Sequence, residues 1–252
     1  MMRKAGQRII TESSSEEIPT ISVSQMVEVD RLMIDEYHIA LLQMMENAGR
    51  ALGRLAIDHF FDDKPVGRKV VVLAGPGGNG GGALAAARRL DGWGVSVQCC
   101  LAQQPAQSSA AVQHQLAALQ KIEVPIVATQ DLDSLAPELI IDGLIGYSLR
   151  GSPREPVAAL IEWANHGSAP ILSLDVPSGV DADTGAAPGS AIRAEATLTL
   201  ALPKTGLTQE PGKQLSGAVY LADIGIPPQL YERIPLAVSR RIFSEHEIIR
   251  LW

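Results

Sequence analysis

The chain has 252 residues, 46 % of them hydrophobic and 19 % charged, with a net charge of −7. That is enough chain for one large α/β domain with a sizeable core. The acidity, with no basic patch interleaved with aromatics, excludes a nucleic-acid partner, and no apolar run reaches the length of a membrane span.

Met1 to Thr20 carries charges but no apolar segment of the kind a secretory signal needs. Its Glu12-Ser13-Ser14-Ser15-Glu16-Glu17 run reads as a disordered tail over 1–20, ahead of a single α/β domain over 21–252. Ser22 with Gln25 has the form of a capping box. Met26, Val29, Leu32 and Met33 then fall on one face of a helix. Tyr37-His38-Ile39 interrupts, and a second helix follows with Leu41, Leu42, Met45, Ala48, Leu52, Leu55 and Ala56 apolar. Gly49 within it costs roughly 1 kcal/mol relative to Ala, which points to close helix–strand packing or a nearby ligand.

Val70-Val71-Val72-Leu73-Ala74 reads as a buried parallel strand. Gly75 to Gly82 reads as a glycine-rich turn, and Ala83-Leu84-Ala85-Ala86-Ala87 as the start of a helix. The strand Val95–Leu101 carries Cys99 and Cys100. Strand neighbours face opposite ways, so no disulfide is expected between them, and a cytoplasmic setting is. A helix over Ser109–Lys121, a short strand near Val124–Val127 and a strand Leu139–Asp142 come next. A helix Pro156–Asn165 leads to the strand Ile171–Asp175, and Thr197–Leu202 and Ala218–Leu221 read as further strands. Arg240–Trp252 reads as a terminal strand and a short helix. The alternation predicts an α/β fold, a three-layer αβα Rossmann-like sandwich with a mostly parallel central sheet.

Ligands of such sheets bind beyond the carboxyl ends of the strands. The glycine turn leaves amide N–H groups bare at a helix N-terminus, a site for an anion. Gly75-x-Gly77-x-x-Gly80 fits the dinucleotide fingerprint by spacing alone. The next strand, however, runs into Ala102-Gln103-Gln104, with no acidic residue to hold a ribose, and no Lys follows the glycines as in a P-loop. Asp142 and Asp175 each end a strand and open a loop of small residues. Both would converge on the glycine turn, where carboxylates do acid–base work or bind a cation; the plainer reading of each is a cap on its own turn. Ser178 lacks a nucleophile-elbow context. The five histidines have no metal-ligand spacing, and Asp181-Ala182-Asp183 lacks the rest of an EF-hand loop. Lys204 could reach the same edge to balance an anion, or stay solvated.

Together these motifs resemble the NAD(P)H-hydrate epimerase family, the YjeF N-terminal domain, from about Ser22 to about Pro228. Met45-Glu46-Asn47-Ala48-Gly49 is similar to its helix motif, and Gly75 to Ala83 to its Gly-Pro-Gly-Asn-Asn-Gly-Gly-Asp-Gly loop. Asp142-Gly143-Leu144-Ile145-Gly146 resembles its Asp-x-x-x-Gly turn, Asp175-Val176-Pro177-Ser178-Gly179 its Asp-x-Pro-Ser-Gly segment, and Pro203-Lys204 its later Pro-Lys pair. The chain departs from the loop at three places: Gly78 stands for an Asn, Gly82 for the Asp and Ala83 for a Gly.

The resemblance implies a repair enzyme that interconverts the R and S epimers of hydrated NADH and NADPH (NADHX and NADPHX). A dehydratase then recovers the cofactor from the S epimer. The chain is too short to carry that domain, so the dehydratase is expected as a separate protein. The resemblance also implies a potassium ion held by Asn79, Asp142 and Ser178. Asp175 is the first choice for acid–base work and for substrate contact, with Asp142 as a second catalytic carboxylate. Gly78, Asn79, Gly80, Gly81 and Gly82, with Gly146, Tyr147, Ser148, Leu149, Arg150 and Gly151, would hold the diphosphate and ribose through backbone amides. A homodimer through the two N-terminal helices follows by the same analogy. The runner-up reading, a re-purposed member that binds a nucleotide-like ligand or a protein partner, rests on Gly78 and Gly82.

Overall fold

The computed structural model describes residues 10–12 and 18–252. Residues 10–12 of the expected disordered tail pair as strand β1 (Ile10–Glu12); the rest of 1–17 lies outside the described residues. Helix α1 (Val23–Asp35) opens with the predicted capping box. Gln25 N–H donates to Ser22 Oγ at 3.3 Å, and Ser22 N–H donates to Gln25 Oε1 at 3.0 Å. Its Met26, Val29, Leu32 and Met33 are all buried. His38, in the left-handed backbone region with φ 56°, makes the break before α2 (Leu41–Leu55).

Strand β2 (Lys69–Ala74) leads to α3 (Gly78–Gly92). The helix starts at Gly78, so Gly78 to Gly82 form its first turns and not the extended turn expected from the sequence. Packing overrides the poor helix propensity of glycine here. A Cβ on Gly81 would lie 2.8 Å from Met45 Sδ, and one on Gly82 2.8 Å from Leu174 Cδ2. Gly49 is also a packing residue, but against a helix and not a strand. A Cβ there would lie 2.6 Å from Ala85 Cβ and 2.8 Å from the Ala86 backbone nitrogen. The alanine run Ala83, Ala85–Ala87 thus lets α2 and α3 approach closely.

Then follow β3 (Ser96–Leu101), α4 (Ala110–Lys121), β4 (Ile126–Val127), β5 (Leu139–Gly143), α5 (Val157–His166), β6 (Ile171–Leu174) and β7 (Ala196–Leu200). The chain ends with α6 (Gly212–Leu215), β8 (Ala218–Ala222), α7 (Pro228–Tyr231) and β9 (Ile248–Arg250). The terminal strand expected in 240–252 is β9. The short helix expected there does not form; the rest of the segment is turns and bends, and α7 lies before it.

Among the described residues the strands form one sheet in the order β1-β9-β8-β7-β6-β5-β2-β3-β4. Every pair is parallel except β8 with β9. One face packs under α2, α3 and α4 through Val70, Val72, Ile141, Leu172 and Leu198. The other packs under α5 through Val71, Leu73, Ile140 and Ile171. This is the three-layer αβα sandwich read from the alternation. Cys99 and Cys100 fall on opposite faces, both buried and unbridged. Among the described residues no helix is long and apolar enough to cross a membrane.

The order reverses between β2 and β5: β3 and β4 extend the sheet one way from β2, and β5 to β8 the other. Such a switch point opens a crevice beyond the strand ends. Two close backbone approaches build it. Gly75 N–H donates to Gly143 O at 3.0 Å, and a Cβ on Gly75 would lie 1.8 Å from Leu144 O.

Candidate active site

A cavity of about 560 Å³ lies at this switch point, a size suited to a small-molecule ligand. Its floor is Pro76, Gly77, Gly78 and Asn79 from the β2–α3 junction, and Leu144 to Ser148 after β5. Asp175 and Lys204 come from the ends of β6 and β7. Asp30 of α1 and Met44 and Met45 of α2 close it from above.

Asp175 follows β6 directly and is 2 % exposed. Its backbone sits in the left-handed region with φ 70°, held by its N–H donating to Leu198 O at 2.8 Å. A non-glycine residue held there is strained, and such strain gathers at functional sites. The Asp175 carboxylate is ion-paired with Lys204, whose Nζ also donates to Leu200 O at 2.7 Å. Lys204 is fully buried, so it is not the solvated lysine of the plainer reading. Its segment is zipped to the start of α1: Ile21 N–H donates to Pro203 O and Thr205 N–H to Ile21 O. That bridge brings α1, and Asp30 with it, over the cavity.

Asp142 lies beneath the cavity, fully buried, and does not line it. Oδ1 accepts from Ser178 Oγ at 2.6 Å and Leu144 N at 3.2 Å; Oδ2 accepts from Ser173 Oγ at 2.8 Å and Ser178 N at 2.9 Å. Burial pushes its carboxyl above the usual range, against these four donors. Asp142, expected as a second catalytic carboxylate, is thus absent from the cavity lining and ties the β5 turn to the segment after β6. Ser178 is buried with it, and its Oγ accepts from Ile145 N at 2.8 Å.

The other predicted contacts divide in the same way. Gly78, Asn79, Gly82, Gly146, Tyr147 and Ser148 line the cavity. Gly80 and Gly81 do not: a Cβ on Gly80 would lie 1.8 Å from Gly75 O, so its role is the tight helix start. Leu149, Arg150 and Gly151 run out of the lining, with Leu149 buried and Arg150 exposed. Sequence reasoning missed Asp30. It falls between the apolar positions Val29 and Leu32, and nothing local separates it from a solvated helix residue. Tyr147 Oη donates to Asp30 Oδ2. Burial raises the Asp30 carboxyl pKa, opposed by this hydrogen bond and by Lys204, and burial beside Asp30 raises that of the Tyr147 phenol.

The open and closed glycines give a stability prediction. A Cβ on Gly78 meets nothing within 4 Å, so Gly78→Ala, in a helical turn, should stabilise by about 0.4–1 kcal/mol. Gly80→Ala should destabilise by about 3 kcal/mol through overpacking. Urea unfolding of both variants checks the pair. Equal effects of the same sign would contradict this geometry.

A family model described as YjeF-related protein N-terminus matches residues 41–206. The NAD(P)H-hydrate epimerase of Dehalogenimonas lykanthroporepellens is 42 % identical over 246 residues, 96 % of each chain. That of Limosilactobacillus fermentum is 34 % identical over 203 residues, 81 % of this chain and 95 % of its own. The bifunctional NAD(P)H-hydrate repair enzyme Nnr of Salinibacter ruber is 35 % identical over 232 residues, which are 85 % of this chain but 42 % of that one. In fold, the crystal structure of yeast YNL200c superposes with a TM-score of 0.80 at 24 % identity, covering 93 % of this chain and all of that one.

Proposed function

The chain belongs to the YjeF-related N-terminus family, and on that premise we infer that it is an NAD(P)H-hydrate epimerase, an isomerase that interconverts the R and S forms of hydrated NADH and NADPH. The observation that carries this reading is Asp175: buried, backbone-strained, ion-paired with Lys204 and open to a cavity at the sheet's switch point. The re-purposed reading finds no support at the two departing glycines. Gly78 leaves the cavity open, and Gly82 is filled by Leu174.

The reacting carbon of the hydrate carries a hydroxyl next to the ring nitrogen. The nitrogen lone pair expels that hydroxyl once its oxygen is protonated, and water returns to the other face as its proton is removed. Asp175 handles one of these protons. Lys204, ion-paired with it in a dry site, aims its carboxyl group. The bare amides at the start of α3 and the Gly146–Ser148 turn hold the nucleotide's diphosphate and ribose. Incubation in ¹⁸O-water tests this chemistry. Each inversion should place label in the substrate hydroxyl; inversion without label would overturn hydroxyl departure.

We propose potassium as the resident ion. The donor set of Asn79, Asp142 and Ser178 is all oxygen, and Asp142 is a fully buried carboxylate with no cationic side-chain partner among the described residues. Hard oxygen ligands suit such a cation, an extension of the logic for calcium and magnesium. When bound it would supply fixed positive charge to a site that takes an anionic nucleotide. At ten times its Kd, potassium should add about 1.4 kcal/mol, roughly 4 °C in Tm. Calorimetry in potassium against choline chloride checks this. An equal Tm in both salts would remove the ion from the account.

A dehydratase that consumes the S epimer is the proposed partner in sequence. The apolar Val27 and Ile34 of α1, 51 % and 42 % exposed, are the surface a homodimer would cover. The two buried, unbridged thiols support a cytoplasmic setting.

A further inference from the structure

Inverting a carbon by loss and return of water needs proton transfer on both of its faces. A single carboxylate fixed on one side of the substrate serves one face only. Among the residues lining the cavity, the acidic side chains are Asp175 and Asp30, and their surroundings differ. Asp175 has Lys204 against it. Asp30 has no ion-pair partner among the described residues; its contact in the cavity is the Tyr147 hydroxyl. Two carboxylates of one site with different partners, one a lysine and one a phenol, suit an acid–base division of labour.

Resting on the epimerase reading above, we propose that Tyr147 is a catalytic residue of this cavity, relaying a proton between the substrate oxygen and Asp30 on the face that Asp175 does not serve. In one direction Asp175, protonated, gives its proton to the departing hydroxyl. The C–O bond breaks, the nitrogen lone pair becomes the C=N bond, and water is released. Water then adds to the opposite face as the C=N pair returns to nitrogen. The proton it sheds passes to Tyr147 Oη while the Tyr147 proton moves to Asp30 Oδ2, along the hydrogen bond already present. In the other direction the same steps run backwards, with Asp30 as the proton source. One proton leaves one pair and one arrives at the other, and exchange with solvent resets both.

The geometry favours this relay over the other protic groups of the cavity. Lys204 is committed to Asp175 and Leu200 O, and Ser148 is exposed to solvent. The charged and titratable groups facing Asp30 are Tyr147 after β5, Asp175 after β6 and Lys204 after β7. Burial holds the Asp30 carboxyl above its ordinary range, closer to the pH at which proton exchange is efficient.

The test is steady-state epimerisation from pH 5 to 9 for the parent chain, Tyr147→Phe, Asp30→Asn and the double variant. Each single variant should lose roughly 100-fold in kcat, with KM within about threefold. The double should be no worse than about threefold below the weaker single, because the two act in series. Both singles should also lose the limb of the kcat/KM profile that Asp30 sets. Unchanged kcat in Tyr147→Phe would overturn the proposal, as would a loss that leaves the shape of the pH profile intact, the mark of a structural role. Should Asp30→Asn fail to fold, Tyr147→Phe, which removes one oxygen, decides alone. An inactive parent chain would instead sink the epimerase reading itself.

Discussion

Asp175→Asn should lower kcat for the R-to-S conversion by about a thousandfold and destabilise the fold by roughly 3–5 kcal/mol. The two losses have different origins. The amide cannot carry the proton, which removes the chemistry. It also takes the counter-charge away from buried Lys204, leaving it only neutral oxygen acceptors, the amide and the Leu200 carbonyl, and breaking a buried ion pair is costly. Asn tolerates the left-handed backbone at this position, so strain adds little. A double variant separates the effects. Asp175→Asn with Lys204→Met removes the orphaned charge and should recover about half of the lost stability with no recovery of kcat. Kinetics and urea unfolding of the single and double variants check both halves. A double variant that regained activity would show that the single acts only through misfolding.

Asp142→Ala carries the second large effect, and it falls on stability. The carboxylate accepts four hydrogen bonds from three segments: the β5 turn, β6 and the Ser178 loop. Its loss leaves the Leu144 and Ser178 amides unpaired in the interior, at about 1–3 kcal/mol each. A total cost of roughly 3–5 kcal/mol follows, less whatever relief comes from no longer burying a carboxylate. Because burial raises the Asp142 pKa, the parent chain loses stability as pH rises from the unfolded value through the folded one, and Asp142→Ala should flatten that dependence. The potassium increment in Tm should vanish as well. Denaturation at pH 5 and pH 8, with and without potassium, measures all three. A cost under 1 kcal/mol would mean that the turn is held by something else.

The strands were legible because their apolar runs are short and buried on both faces, as at Val70–Ala74 and Leu139–Ile141. The ends of those strands were legible for the same reason, and so was the convergence of Asp142 and Asp175 on one edge. What separates the two carboxylates was not. Asp142 points under the sheet edge and Asp175 into the cavity, a difference set by one left-handed residue at the end of β6. The start of α3 was misread because glycine disfavours helix locally, while Met45 and Leu174, distant in sequence, leave no room for side chains at Gly81 and Gly82. Asp30 was invisible for a similar reason. Its place over the cavity comes from the backbone bridge between Ile21 and Lys204, far apart in the sequence. No helical periodicity reports a pairing of that range.

One measurement bears most directly on the central claim. Mixed R and S NADHX is incubated with a dehydratase specific for the S epimer, and loss of the R epimer is followed with and without the folded protein in potassium. Loss of R should accelerate well above the spontaneous rate with the parent chain and return to that rate with Asp175→Asn. Spontaneous loss with the parent chain, or equal acceleration by Asp175→Asn, would contradict the assignment of epimerase chemistry to this cavity.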